Sequence, residues 1–201
     1  MTRNPWDERY GTDDYFYGTE PNDFLRAHAA EIPAGGDVLC LGEGEGRNAA
    51  FLAGLGLRVT ALDQSGVGLA KATRLAAAKG VRIDTVVADL EHYRIEPERW
   101  SGIVSIWCHL PSALRPAVHR QIVSGLRPGG VLLMESYTPD QLAFGTGGPR
   151  SADLMPTLAE LRRDFDGLEF AHAEERERVV AEGRGHHGAS AVVQLVARKP
   201  L

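Results

Sequence analysis

The residues best placed to do chemistry form a glycine-rich run, Leu41-Gly42-Glu43-Gly44-Glu45-Gly46-Arg47-Asn48, straight after a short apolar segment. Glycines there let a backbone turn tightly and come close to a ligand. A dinucleotide site wants Gly-x-Gly-x-x-Gly. Here the third glycine arrives one residue early, and Arg47 holds the expected place. No Gly-Lys-Ser/Thr follows, so the run is not a P-loop. Glu43 and Glu45 would repel a pyrophosphate and suit a ligand that carries positive charge. Asp63, in Leu62-Asp63-Gln64-Ser65, stands about 20 residues past the glycines, where a carboxylate takes the two hydroxyls of a ribose. Asp89, in Val87-Ala88-Asp89-Leu90, stands where a carboxylate accepts from an adenine amine while Leu90 covers the ring. Singly, each feature reads equally as a turn or a helix cap. At three successive strand ends they point to an adenosine-containing ligand.

The elements that must position these residues alternate along the chain. Short apolar runs at 37–41, 58–62, 82–87, 102–107 and 131–137 read as strands buried on both faces. Helices are expected over 48–55, closed by Gly56, and from a Ser65 cap to near Lys79. Another is expected over 111–126, starting close to Pro116 because proline is poorly tolerated further in. Residues 138–156 form a glycine- and proline-rich loop, long enough to be functional. A short helix follows over 157–165, then strands over 168–180 and 189–198 joined by a turn at 182–188. Such alternation predicts an α/β fold with a mainly parallel sheet, helices on both faces and an antiparallel closing hairpin. Ligands in such sheets bind outside the carboxyl ends of the strands, where the strand order reverses.

Composition narrows the function. With 201 residues and no divided composition, one domain is expected over 1–201. Its parts are an N-terminal lid and helix at 1–35, a cofactor-binding core at 36–137, and a substrate loop, helix and hairpin at 138–201. A hydrophobic fraction of 43% with 24% charged residues argues against disorder. A net charge of −5 without a basic run argues against nucleic acid as a partner. Cys40 and Cys108 lie in apolar runs and read as buried small hydrophobes. No Cys-x-x-Cys occurs, and the adjacent His186 and His187 lack helical ligand spacing, so no metal is expected. The polar, aromatic N-terminus has no signal-peptide core, and no window approaches the ~18 apolar residues of a membrane span. A cytoplasmic protein with no membrane partner is therefore expected, as either a monomer or a homodimer.

On these residues the chain resembles class I S-adenosylmethionine (SAM)-dependent methyltransferases. Val38 to Gly46 resembles the first motif of that family, Asp63 its second and Asp89 its third, and Leu126-Arg127-Pro128-Gly129-Gly130 resembles the turn before its fifth strand. Within the class, Trp6-Asp7-Glu8-Arg9-Tyr10, the stretch from Tyr17 to Leu25 and Gly46-Arg47-Asn48 are most similar to the tellurite-resistance (TehB-like) and thiopurine methyltransferase group. The resemblance implies a Rossmann-like, seven-stranded sheet whose seventh strand inserts antiparallel between the fifth and sixth. It implies SAM as cofactor, held by Tyr17, Gly42, Glu43, Gly44, Gly46, Asn48, Asp63, Gln64, Asp89, Leu90 and Trp107. The sequence departs from the family at Cys40, where an acid usually helps hold the methionine amine; Glu43 or Glu45 is the candidate substitute.

Methyl transfer from a sulfonium needs proximity and alignment, and a base only when the acceptor is protonated. Residues just past the fourth strand face the methyl, which makes His109 a candidate base and Trp107 a pocket wall or adenine neighbour. His187, beside His186 and Arg184 in the closing turn, is the second candidate catalytic residue. Arg150, in Gly145-Thr146-Gly147-Gly148-Pro149-Arg150, suits an anionic substrate or plain solvent exposure. The aromatic segment with Tyr10, Tyr15, Phe16 and Tyr17 is expected to fold over the donor site. The expected activity is methyl transfer to a small-molecule thiol, chalcogen oxyanion or small aromatic. The alternatives are a non-catalytic SAM-binding module and, disfavoured by the glycine spacing, an NAD-dependent oxidoreductase.

Overall fold

Apolar runs too short for helices become strands buried on both faces, and the sheet they form sets the frame. In the computed structural model, which describes residues 4–201, seven strands pair in the order β3-β2-β1-β4-β5-β7-β6. The first three residues of the expected lid lie outside the described residues. The strands are β1 (Asp37–Leu41), β2 (Arg58–Asp63), β3 (Asp84–Val87), β4 (Trp100–Ile106), β5 (Leu126–Tyr137), β6 (Glu169–Glu182) and β7 (His186–Arg198). The first five pair in parallel, β7 pairs antiparallel with β5, and β6 pairs antiparallel with β7. This is the mixed, mainly parallel sheet that the alternation predicts. The order reverses between β1 and β4, so the glycine run after β1 opens at the switch point.

The α-helices among the described residues are α1 (Pro5–Tyr10), α2 (Asp23–His28), α3 (Arg47–Gly54), α4 (Gly66–Ala78), α5 (Arg115–Gly125) and α6 (Leu158–Asp164); α1 packs on α4 and the others pack against the sheet. Alternation along β1 divides the core into two layers. Val38 and Cys40 pack with Leu25, Leu52 and Leu69 of α2, α3 and α4. Leu39 and Leu41 pack with Val118 and Ile122 of α5 and with Leu161 and Phe165 at α6. Local chemistry fixes the helix starts. The Ser65 hydroxyl accepts from Gly68 N at α4, Thr157 and Glu160 form a capping box at α6, and Pro116 falls in the first turn of α5. No helix among the described residues is long and apolar enough to cross a membrane.

The hairpin departs from the expected bounds. β6 runs on to Glu182 and β7 starts at His186, so the turn shrinks to 183–185. Pairing of Glu182 with His186 and of Ala181 with His187 extends the ladder through residues expected in a loop. Both histidines are therefore strand residues on opposite faces. His186 is buried and His187 is exposed.

Candidate active site

The tips of β1, β2, β3 and β4 surround a cavity of about 900 Å³. At its first end the glycine run turns through Gly42, Gly44 and Gly46, all at positive φ. A Cβ at Gly46 would stand 2.4 Å from the Ala72 Cβ of α4, so glycine there lets two helices approach. Asp63 ends β2, and its two carboxylate oxygens accept from Gly44 N and Ser65 N, each at 2.8 Å. The carboxylate is 7% exposed and lines the cavity, with lone pairs left for a ligand. Asp89 and Leu90 line the same end, and Asp89 Oδ1 also accepts from Glu91 N at 2.9 Å.

Glu43 lines the cavity while its Oε1 accepts from Ala49 N at 2.7 Å, an amide that the start of α3 leaves free. Burial pushes its pKa up to about 7, against the pull of the Ala49 amide and of Arg47. Burial also raises the Cys40 thiol, which bonds to Glu43. The acid absent from position 40 thus stands next to it in space. Glu45 is otherwise engaged, forming a fully buried ion pair with Lys71 at 2.5 Å.

Not every residue expected at the donor end faces the cavity. Gly42, Asn48 and Gln64 line it, whereas Gly44 and Gly46 do not. Gly44 is spent on Asp63 and on close approach to the Tyr10 hydroxyl, and Gly46 on α4. They shape the loop rather than touch its contents.

The N-terminal segment crosses this end. Asn4 caps α1 and donates to the Gln64 carbonyl at 2.9 Å, and the Ser65 hydroxyl donates to Asp7 at 2.6 Å. Lys71 of α4, 1% exposed, donates to the carbonyls of Thr12 at 2.8 Å and Asp14 at 2.6 Å. Tyr17 N donates to Glu45 at 3.3 Å, and the Tyr17 hydroxyl accepts from Arg9 at 2.8 Å. Trp6, Arg9, Tyr10, Phe16 and Tyr17 thereby become cavity wall. The sequence carried one overlooked signal for this clasp: a lysine between the apolar residues Leu69, Ala72 and Leu75 of an amphipathic helix.

The other end is aromatic. Trp107, just past β4, has φ 56, a left-handed conformation uncommon outside glycine and frequent at functional sites. Its ring stacks on Tyr137 at 4.4 Å and on His186 at 5.0 Å, and Tyr17 stacks on His186 at 4.8 Å. His186 Nδ1 pairs with the Tyr137 hydroxyl at 2.8 Å, and His109 Nδ1 with Ser136 Oγ at 3.3 Å. Burial pushes His109 down to about 4 and His186 to about 3, so both rings are neutral at ordinary pH. His187, the candidate from the closing turn, does not line the cavity; strand alternation puts His186 there instead. His187→Ala is accordingly expected to keep wild-type turnover, and His186→Ala to lose about ten-fold, measured as initial rates on one acceptor. Gly147, Gly148, Pro149 and Arg150 close this end.

Behind the wall lies a buried charge cluster. Glu135 of β5 accepts from Arg178 at 2.7 Å, Gln194 at 2.5 Å and Asn22 at 2.5 Å. Glu182 pairs with Arg47 and accepts from Trp107 Nε1 at 2.7 Å. Burial works against the charge on Glu182, yet Arg47 and the indole hold its pKa below the usual carboxylate range. Glu135 was visible as an acid inside an apolar strand; its partners, spread from residue 22 to 194, were not.

The donor end fits SAM on its own groups. A half-satisfied carboxylate at the β2 tip suits a ribose diol, and the buried Glu43 carboxyl suits an ammonium. The residues fit. Among the described residues no cluster of metal ligands occurs.

Comparison with known proteins agrees with the geometry. Residues 38–130 match the methyltransferase domain family. The chain is 29% identical over 171 residues to the ubiquinone biosynthesis O-methyltransferase of Xanthomonas axonopodis pv. citri (strain 306), covering 81% of this chain and 70% of that protein. TehB from Haemophilus influenzae superposes with TM-score 0.71 at 22% identity, over 96% of this chain and 65% of TehB. The N-methyltransferase NodS from Bradyrhizobium japonicum WM9, solved with S-adenosylhomocysteine (SAH), superposes with TM-score 0.71 at 15% identity, over 98% and 97% of the two chains. Residues 38–130 thus match a methyltransferase domain, and the chain shares the fold of solved methyltransferases, with NodS and TehB among its structural neighbours.

Proposed function

We propose that the protein methylates a small molecule held between Trp107, His109, His186 and the loop at 145–150. The observation that carries this is the polarity of one cavity. Its carboxylates, Glu43, Asp63 and Asp89, stand at the strand tips, and neutral aromatic rings form the opposite wall. When bound, S-adenosylmethionine supplies a methyl group on a sulfonium, already activated for in-line displacement. The protein's share is then binding, alignment and exclusion of water.

Asp63 takes the ribose hydroxyls, Asp89 the adenine amine with Leu90 against the ring, and Glu43 the methionine ammonium. Gly42, Asn48, Gln64 and Tyr17 complete this end. Trp107 and Tyr17 wall the acceptor, and Arg150 lines the same cavity. Where the acceptor carries an acidic proton, neutral His109 or His186 accepts it. His186 bonds the Tyr137 hydroxyl through Nδ1, and in the tautomer in which Nδ1–H donates there, Nε2 holds the lone pair that takes the proton. Rings of such low pKa are weak bases, so thiols, phenols and oxyanions suit them better than alcohols. The name of the ubiquinone biosynthesis relative favours a small-molecule acceptor.

The Glu43 carboxyl makes a pH prediction. Its folded pKa, about 7, lies above the ordinary 4.5, so its contribution to stability is present below 4.5 and is lost as pH rises through 7. A ligand ammonium favours the ionised carboxyl. SAH binding should therefore tighten from about pH 6 to about pH 8, and Glu43→Gln should flatten that rise. Calorimetric titration across this range checks it. The test of the function is SAM-dependent methylation of a panel of thiols, phenols and tellurite. Turnover of at least one is expected; saturable SAH binding without turnover of any would favour the non-catalytic module.

A further inference from the structure

Glu182 is the last residue of β6, 6% exposed, and does not line the large cavity. Its carboxylate nevertheless joins three parts of the chain that do bound the site. Oε2 accepts from the Trp107 indole at 2.7 Å and pairs with Arg47, the first residue of α3 after the glycine run. Oε1 accepts from Asn22 at 2.8 Å, and Asn22 N donates to Asn48 at 2.9 Å. Arg178 reaches the same oxygen at 3.3 Å.

We infer that Glu182 is a positioning residue, which fixes the Trp107 indole as the wall between the donor loop and the acceptor. Stacking on Tyr137 and on His186, two rings that lie 5.4 Å from each other, restricts the plane of the indole. It does not set which way round the ring lies, because an indole turned over about its Cβ–Cγ bond keeps the same plane and can still stack on both neighbours. The hydrogen bond from Nε1 sets it. A flipped ring would take the N–H away from its charged acceptor and leave Glu182, 6% exposed, short of one donor, which is costly for a buried carboxylate. The left-handed backbone at Trp107 adds need for such a restraint, since strained positions persist only when surrounding contacts over-determine them. Through Arg47 the same carboxylate ties the indole to the start of α3, so the spacing between donor loop and acceptor wall depends on one side chain.

The consequence for catalysis rests on the acceptor site proposed above, but the orientation itself is measured without any acceptor. The chain has three tryptophans, and ¹⁵N-edited spectra of their indole groups resolve them, with Trp107→Phe assigning the relevant signal. In the wild type Trp107 is expected to give one sharp, downfield indole proton, the mark of a charge-assisted bond. In Glu182→Gln it should shift upfield and broaden or double as the ring samples both rotations, while the Trp100 signal stays in place and reports an intact core. Glu182→Asp, which keeps the charge for Arg47 and Arg178 but withdraws it by one methylene, serves if the glutamine variant does not fold. With thiophenol as acceptor, the losses in kcat from Glu182→Asp and Trp107→Phe should not add, because the first acts through the second. A single, unshifted Trp107 signal in the variants, or additive losses in kcat, would overturn the inference. Failure of SAH to bind would instead sink the donor site and leave the indole result standing.

Discussion

Asp63→Ala should weaken SAH binding about 10- to 100-fold, matching the roughly 1.5–3 kcal/mol of hydrogen bonds to a charged acceptor. Two losses add in this variant. A ribose diol would lose its carboxylate, and the glycine run would lose the brace that Asp63 gives to Gly44 N. Asp63→Asn separates them. An amide oxygen still accepts from one backbone N–H, so the loop stays closer to its native path while the charge is gone. Titration calorimetry on both variants is expected to show the asparagine protein intermediate between wild type and alanine. Asp63 is 7% exposed and burial raises its pKa, so its charge in the free protein already stands at a cost that two backbone amides offset. A ligand hydroxyl adds to that compensation. Near-wild-type affinity in Asp63→Ala would remove the ribose role.

The largest effect on stability is expected at Lys71. Replacement by methionine keeps the aliphatic stem but removes the ammonium, leaving Glu45 as a buried charge without its partner. Breaking a buried pair from one side costs about 3–5 kcal/mol, and for a chain of this size that lowers the melting temperature on the order of 10 °C. The carbonyls of Thr12 and Asp14 lose their donor as well, so the clasp on the N-terminal segment opens. Limited proteolysis should then cut between residues 11 and 17 faster than in the wild type. The companion variant Lys71→Met with Glu45→Gln removes both charges, and most of the lost stability should return. If Lys71→Met melts within a degree or two of the wild type, the pair is not holding the lid.

Much of the frame was legible because it follows from local rules. Apolar runs such as Val38 to Leu41 have room to be only strands, and a glycine run opening a helix must stand at a strand tip. Asp63 and Asp89 could be placed for the same reason, since the first ends an expected strand and the second stands just past one. The hairpin bounds were less legible. Gly183, Gly185 and Gly188 signal a loop, yet the ladder continues through His186 and His187 because pairing with β6 outweighs local glycine content. That shift of the strand start reverses which histidine faces the cavity. The clasp at Lys71 and the cluster around Glu135 and Glu182 were illegible for a different reason. Their members are up to 172 residues apart, from Asn22 to Gln194, and no periodicity links a lysine to a carbonyl or an indole to a distant carboxylate. Such contacts exist only once the sheet has set the strand ends side by side.

One titration bears most directly on the donor site: SAH into the wild-type protein by calorimetry, with NAD as the comparison ligand. One saturable site for SAH per chain and no heat with NAD is the predicted result, since the glycine run carries two glutamates where a pyrophosphate would lie. Saturable binding of NAD, or no heat with SAH, would contradict it.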